Sequence, residues 1–157
     1  MICIVQRVLS CSVVIDGETV SEQERGLLLL LGVAQGDDEK EADALAAKIA
    51  KLRIFEDENG KMNKSVTEAG GRITVVPNFT LLASYKKGNR PDFFGGASPD
   101  EANRLFEYFK SKISAELTAL GGDANVGSGV FGADMKVSLV NDGPVTLTMD
   151  SKVLTQK

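Results

Sequence analysis

A chain of 157 residues, 43% hydrophobic and 25% charged with a formal net charge of −4, has the make-up of one folded domain. It excludes a disordered chain and a protein that coats nucleic acid through massed lysines and arginines. No apolar run approaches the ~18–20 residues a membrane span needs; the opening Met1-Ile2-Cys3-Ile4-Val5 lacks the basic region and long apolar core of an export signal, so the expected location is the cytoplasm.

Met1 to Leu9 predicts a first strand. Val13-Val14-Ile15, Asp16-Gly17 and Glu18-Thr19-Val20 predict a hairpin, because Asp-Gly supplies the positive φ of a tight turn. Leu27 to Ala34 is apolar at successive positions, which predicts a strand covered on both faces. The period then changes. Behind a capping Asp38, residues Ala42, Leu45, Ala46, Ile49 and Leu52 recur at three and four positions and predict a helix from about Glu39 to Arg53. Asn59-Gly60 marks a polar loop, and Arg72 to Val76 a further strand. Ser98-Pro99-Asp100-Glu101 offers an N-cap serine, a proline at the first helical position and a capping-box glutamate. Leu105, Phe106, Phe109, Ile113, Leu117 and Leu120 line one face of that second helix, and Gly121-Gly122 ends it. Met135, Val137 and Leu139 alternate with Lys136 and Ser138 as a half-buried strand; Val145 to Met149 makes the last strand after a Gly-Pro corner, and a flexible tail is expected from about residue 151. This order predicts one α+β domain over residues 1–157, with mixed or antiparallel sheets, barrel- or sandwich-like, and two main helices rather than a Rossmann fold.

The residues available for chemistry are restricted. The chain has no histidine, which removes Ser-His-Asp and Cys-His catalysis, the usual base near neutral pH and the commonest zinc ligand. Cys3 and Cys11 form no Cys-x-x-Cys pair, so neither a zinc ribbon nor a redox motif is available, and no metal or organic cofactor is expected. The glycine clusters contain no GxxxxGK[ST] and no GxGxxG after a strand, so nucleoside-triphosphate binding is not expected. Asp134 and Asp142 flank the strand that ends at the Gly-Pro; each reads either as a general acid or base or as a turn-capping residue. In Val75 to Leu82, Pro77 lacks an N–H and belongs at an edge, bulge or bend, after which Asn78 and Thr80 either face a cavity or end a strand without function. Lys86-Lys87-Gly88-Asn89-Arg90 is a short basic run that reads as a solvated loop or as a contact for single-stranded RNA or phosphate.

Over nearly its whole length the chain resembles the D-aminoacyl-tRNA deacylases. The stretches that carry this are Val5-Gln6-Arg7-Val8 with Ser12-Val13, Gly26 to Val33, Arg53-Ile54-Phe55, and Gly60-Lys61-Met62-Asn63 with Ser65-Val66. They continue with Phe79-Thr80-Leu81, Asn89-Arg90-Pro91, Gly96-Ala97-Ser98-Pro99, Phe131 with Ala133-Asp134-Met135, and Val137 through Thr146. The resemblance implies hydrolysis of the ester between a D-amino acid and the 3′ end of tRNA by a homodimer with its active site at the subunit interface. It implies main-chain groups around Asn78, Phe79 and Thr80 as the catalytic surface, assisted by the substrate's own ribose hydroxyl. Gly143 and Pro144, held in cis and inserted into the partner's pocket, are implied as the chirality filter. Asn141 and Leu81 are implied to bind substrate with them, and Phe131 and Met135 to line an adenosine pocket. Thr80 as a nucleophile is the weaker alternative, since no base is apparent to activate it. The chain departs from the family's Ser-Gln-x-x-Leu pattern, which is Pro77-Asn78-Phe79-Thr80-Leu81 here. Two rivals remain: an editing domain that removes a wrong L-amino acid, against which the intact Asn-x-Gly-Pro-x-Thr motif speaks, and a non-catalytic dimeric nucleic-acid-binding protein.

Overall fold

One long strand organises the molecule. In the structure, a computed structural model describing residues 1–155, β1 (Ile2–Ile15) is hydrogen-bonded along both edges. On one edge β2 (Glu18–Gln23) and β3 (Gly26–Gly32) form a single antiparallel arm, from Ile15 opposite Glu18 to Ile2 opposite Gly32. Asp16 and Gly17 make its turn, with φ of 50° and 81°, as the Asp-Gly signal predicts. The first strand does not stop at Leu9: alternating burial continues through Cys11 and Val13, and the strand continues with it.

The first helix, α1 (Glu39–Ala50), begins at a complete capping box in which the Asp38 carboxylate accepts from Lys40 N and Glu41 reaches back to the Asp38 N–H. It ends three residues before the expected Arg53. The polar loop expected at Asn59-Gly60 is instead the turn of a small hairpin between β4 (Phe55–Glu56) and β5 (Met62–Lys64). Strands this short carry no readable alternation, and the Asp57 carboxylate, accepting from the N–H groups of Asn59 and Lys61, supplies the closure. After β6 (Arg72–Pro77) and a 3-10 turn at Phe79–Leu82, the second main helix, α2 (Pro99–Ala119), starts at Ser98 with Pro99 at N1. The expected capping box is absent. The Ser98 side chain makes no cap hydrogen bond, and Glu101 is drawn instead to Arg104, two nitrogens of which bind it at 2.8 and 3.0 Å. The chain then forms β7 (Val126–Ser128) and β8 (Met135–Asp150), the two expected last strands being one element. Ser151–Thr155, in the stretch expected as a tail, forms α3. Its buried Ser151 takes a hydrogen bond from the Met1 ammonium, which also meets Asp37 at 2.7 Å.

The strands make one mixed sheet. β8 runs antiparallel along the second edge of β1, β6 joins β3 in parallel, and β7 joins β6 in parallel. β2 curls across β6 and β7: Ser21 Oγ lies 3.4 Å from Thr74 Oγ1, and Thr74 donates to Gln23 at 2.7 Å. The sheet is thereby nearly closed into a barrel. Leu27, Leu29 and Leu31 point to the helices, meeting Leu45 and Ile49 of α1 and Phe106 and Phe109 of α2. Leu28, with Leu30 beside it, points into the barrel with Val8, Cys11, Val13 and Val76. The double-faced burial expected of this strand is therefore the joining of two cores, and each fully buried leucine contributes ~1.5–3 kcal/mol.

β6 crowds β3 at Gly26, where a Cβ would stand 1.9 Å from the Arg72 carbonyl oxygen. Gly26→Ala must push the two backbones apart. Urea unfolding should show a loss of about 1–3 kcal/mol for that variant, whereas Gly143→Ala, whose Cβ would meet nothing closer than 3.6 Å, should unfold like the native chain.

Candidate active site

The segment with the most exposed chemistry is the exit of β6. Pro77 is its last residue, paired with Leu31, and the N–H of Asn78 donates to the Leu31 carbonyl at 2.8 Å. Since successive residues of a strand point their N–H groups to opposite sides, the position of Pro77 faces away from β3. There β7 has already ended, its pairing stopping at Val75 with Ser128. The proline therefore costs the ladder no hydrogen bond. The 3-10 turn seats directly on Gly32, where a Cβ would come 2.3 Å from Leu82 Cδ2 and 3.1 Å from the Asn78 carbonyl oxygen.

That close seating fixes which groups the turn presents. Leu81 packs back toward Gly32 and lines neither cavity described below. The N–H groups of Phe79 and Thr80 precede the first bond of the turn, Leu81 N to Asn78 O, and among the described residues they have no acceptor. The Asn78 side-chain amide donates to the Thr80 hydroxyl at 3.1 Å, so that hydroxyl keeps its own proton free to donate outward.

Two adjoining concavities share Pro77, Asn78, Phe79 and Gly132. One is an apolar cavity of about 360 Å³ walled by Phe131, Phe93, Phe106, Leu31 and Pro99. The other is a groove of about 480 Å³ at the mouth of the barrel core, bounded by Thr80, Asp134, Met135, Val137 and Leu139. Phe131 and Met135, expected in one pocket, thus belong to neighbouring ones. Phe79 stands at their shared rim with Phe93 edge-on against it, the ring centres 5.2 Å apart. Phe93 gave no signal in the sequence, because it lies in a loop without period. A further concavity of about 680 Å³ between β2, β7 and α2 is open and contains none of the candidate site residues.

The Gly-Pro motif occupies a defect in the β1–β8 ladder. Pairing passes from Gln6 with Thr146 to Val8 with Asn141, so residues 142–145 stand opposite Arg7 alone. The Gly143-Pro144 peptide is cis, and both residues are exposed. Asn141 clips the bulge from within, its amide donating to the carbonyls of Arg7 at 2.9 Å and Val145 at 3.1 Å. Arg7, only 5% exposed, meets the Asp142 carboxylate at 3.0 Å and donates to the Ile54 carbonyl at 2.7 Å. Asp142 is thereby committed to an ion pair. Gly143 and Pro144 line neither concavity of their own chain.

The remaining candidates for chemistry fall away on geometry. Cys3 is fully buried, and burial pushes its thiol up to about 12; burial also raises Cys11, against a smaller opposing hydrogen bond from Thr74. Neither forms a thiolate near neutrality. Asp134 is exposed and holds Lys136 at 2.7 Å. Among the described residues no group of three or more Cys, Asp or Glu is placed to hold a metal ion.

Comparison with known proteins identifies the family. Residues 4–150 match the family model described as D-Tyr-tRNA(Tyr) deacylase. The D-aminoacyl-tRNA deacylase of Dechloromonas aromatica strain RCB is 52% identical over 150 residues, covering 96% of this chain and 97% of the relative. That of Ruegeria pomeroyi is 50% identical over 150 residues, covering 96% and 99%. A solved structure described as a c-Myc DNA unwinding element binding protein superposes with a TM-score of 0.87 at 37% identity, covering 96% of this chain and 98% of that one. The chain belongs to the D-Tyr-tRNA(Tyr) deacylase family.

Proposed function

We propose that this D-aminoacyl-tRNA deacylase hydrolyses the ester joining a D-amino acid to the 3′-terminal adenosine of tRNA in the groove beyond β6. Water attacks the ester carbonyl, the bond to the ribose oxygen breaks, that oxygen takes a proton, and the D-amino acid and free tRNA leave. The observation that carries this reading is the pair of unpartnered N–H groups at Phe79 and Thr80, both on residues that line the groove, with Phe79 also walling the apolar cavity beside it. Main-chain donors beside the ester suit the developing oxyanion, and a rigid main chain does not have to reorganise to meet it. The adenine fills the apolar cavity beside Phe131, and Met135 borders the ester in the groove. The ester is activated, so positioning and oxyanion stabilisation suffice for a histidine-free chain, with the neighbouring ribose hydroxyl assisting. Asn78 orients the Thr80 hydroxyl, and neither side chain serves as nucleophile.

The working form is a homodimer. A second copy of the exposed Gly143-Pro144 bulge completes the groove, and its carbonyls take the substrate ammonium. Support comes from the clasp of Arg7 and Asn141, which holds the bulge rigid while turning it away from its own chain. A rigid main-chain wall against the α-carbon excludes the L enantiomer sterically, where a mobile side chain could step aside. Asn141 and Leu81 act behind this surface, one holding the bulge and the other seating the turn. No described helix is long and apolar enough to cross a membrane, and we place the chain with its tRNA substrate in the cytoplasm.

Incubation with D-Tyr-tRNA and L-Tyr-tRNA tests the reading. Loss of the D ester alone supports it; loss of the L ester favours an editing domain, and loss of neither a non-catalytic binder. Gly143→Ala, which the fold accommodates, should remove most of the D-specific activity by placing a methyl group where substrate approaches; full activity in that variant would place the filter elsewhere.

Phe79→Pro deletes the N–H at a position where proline's fixed φ suits the start of a helical turn. Turnover should fall about 10²–10³-fold below that of Phe79→Ala, which keeps the donor. Asn78→Ala should cost far less. Equal kcat values for the two Phe79 variants would remove the N–H from the mechanism.

EDTA and thiol-alkylating reagents should leave deacylation intact in native protein, as the two buried thiols and the donor inventory require. Zinc-restorable loss in a chelation series would overturn this.

A further inference from the structure

The basic run at Lys86-Lys87-Gly88-Asn89-Arg90 has a defined place beside the groove. Residues 85–91 form a closed excursion pinned by reciprocal hydrogen bonds between Ser84 and Asp92, N to O at 2.8 and 2.9 Å. The return limb is fastened to the core. Phe94 N donates to the Asp92 carboxylate, Gly95 O accepts from Gln35 N at 2.9 Å, and Ala97 N donates to Val33 O at 3.0 Å. Phe93, on that limb, walls the apolar cavity and packs edge-on against Phe79. The loop is therefore carried on the lip of the site itself.

Its charges are unspent. Lys86, Lys87 and Arg90 are all exposed, and among the described residues none lies within ion-pair distance of a carboxylate. No acidic residue occurs from 85 to 91. Large aromatic faces flank the cations, Tyr85 at 79% exposure and Phe94 at 87%. In a chain of net charge −4, three unneutralised cations between two bare rings form a local positive field opposite to the general one. Cations for phosphates and rings for unstacked bases are the two components of a single-strand binding surface.

We propose that this loop grips the single-stranded nucleotides immediately upstream of the terminal adenosine, Lys86, Lys87 and Arg90 taking their phosphates and Tyr85 and Phe94 stacking on their bases. The proposal rests on the deacylase reading, which puts the terminal adenosine in the cavity that Phe93 walls. The loop contributes to tRNA capture, not to ester cleavage.

The test compares two esters in the same protein: D-Tyr-tRNA, and D-tyrosine esterified to adenosine alone, which lacks every upstream phosphate. The triple variant Lys86→Gln, Lys87→Gln, Arg90→Gln should raise KM for D-Tyr-tRNA about tenfold or more at physiological salt. Its kcat should be unchanged, and so should its kcat/KM for the adenosine ester. The slope of log(kcat/KM) against log salt for the tRNA should become shallower by about 2, since each phosphate contact on a single strand accounts for ~0.7. Tyr85→Ala, which leaves the charge intact, should weaken tRNA use without altering that slope. An unchanged KM for tRNA, or an equal loss on both esters, overturns the loop's role. Wild-type protein that cleaves neither ester overturns the deacylase reading, and the proposal with it.

Discussion

Everything in this molecule hangs on β1 being hydrogen-bonded on both edges. A strand paired on one side can slide; one paired on two sides has its register set twice, and β8 must follow β1 or leave it visibly. It leaves it at one place, opposite Arg7, where four residues of β8 face one of β1. A single bulged residue follows immediately on the other strand, at Leu9, between the pairs Val8–Asn141 and Ser10–Val140. The Gly-Pro motif therefore protrudes because the sheet around it cannot give. Asn141 spans the defect and Arg7 neutralises Asp142 from below, so the protrusion has a fixed shape. A largely buried arginine is expensive to desolvate, and losing its carboxylate partner would leave that charge uncompensated.

The second consequence of the sheet is the position of the groove. Because β3 serves two cores, the barrel mouth and the helix layer meet at its end, and β6 stops there as well. Gly32 lets the 3-10 turn sit against β3, which contributes no side chain there, so that Leu82 and Leu81 rest on its backbone. The N–H groups of Phe79 and Thr80 thus sit on a turn fixed to β3 by its contact with Gly32 and by the hydrogen bond from Asn78 N to the Leu31 carbonyl.

Much of this was legible in the sequence because the signals were long or chemically specific. The unbroken Leu27–Leu31 run, the Asp16-Gly17 turn and the periodicity of both main helices each pointed to one structure. The β4–β5 hairpin was not legible, since strands of two and three residues show no alternation. The glutamate half of the Ser98 capping box fails for a competitive reason: Arg104, one turn on, offers Glu101 a charged partner in place of a backbone N–H. At the site, the residues near Asn78 could be named from the motif, but the seating of Leu81 on Gly32 and the Phe79–Phe93 contact depend on long-range approach that no local pattern encodes. The tolerance for Pro77 was likewise invisible, because it depends on where the neighbouring strand β7 ends.

The strand that joins the two cores has a further consequence before the protein is complete. During synthesis, β1 can pair with β2 and with one edge of β3 as soon as they emerge, but the other edge of β3 awaits β6, some forty residues later in the chain. Until then five consecutive leucines lie along an unpaired edge with both faces bare, the composition from which intermolecular β-structure grows. Glu22, Glu24 and Arg25 stand immediately before them, where charged residues obstruct edge-to-edge stacking. The same leucines that weld the finished molecule together make the unfinished one its most aggregation-prone species, and the charges at 22–25 guard that interval.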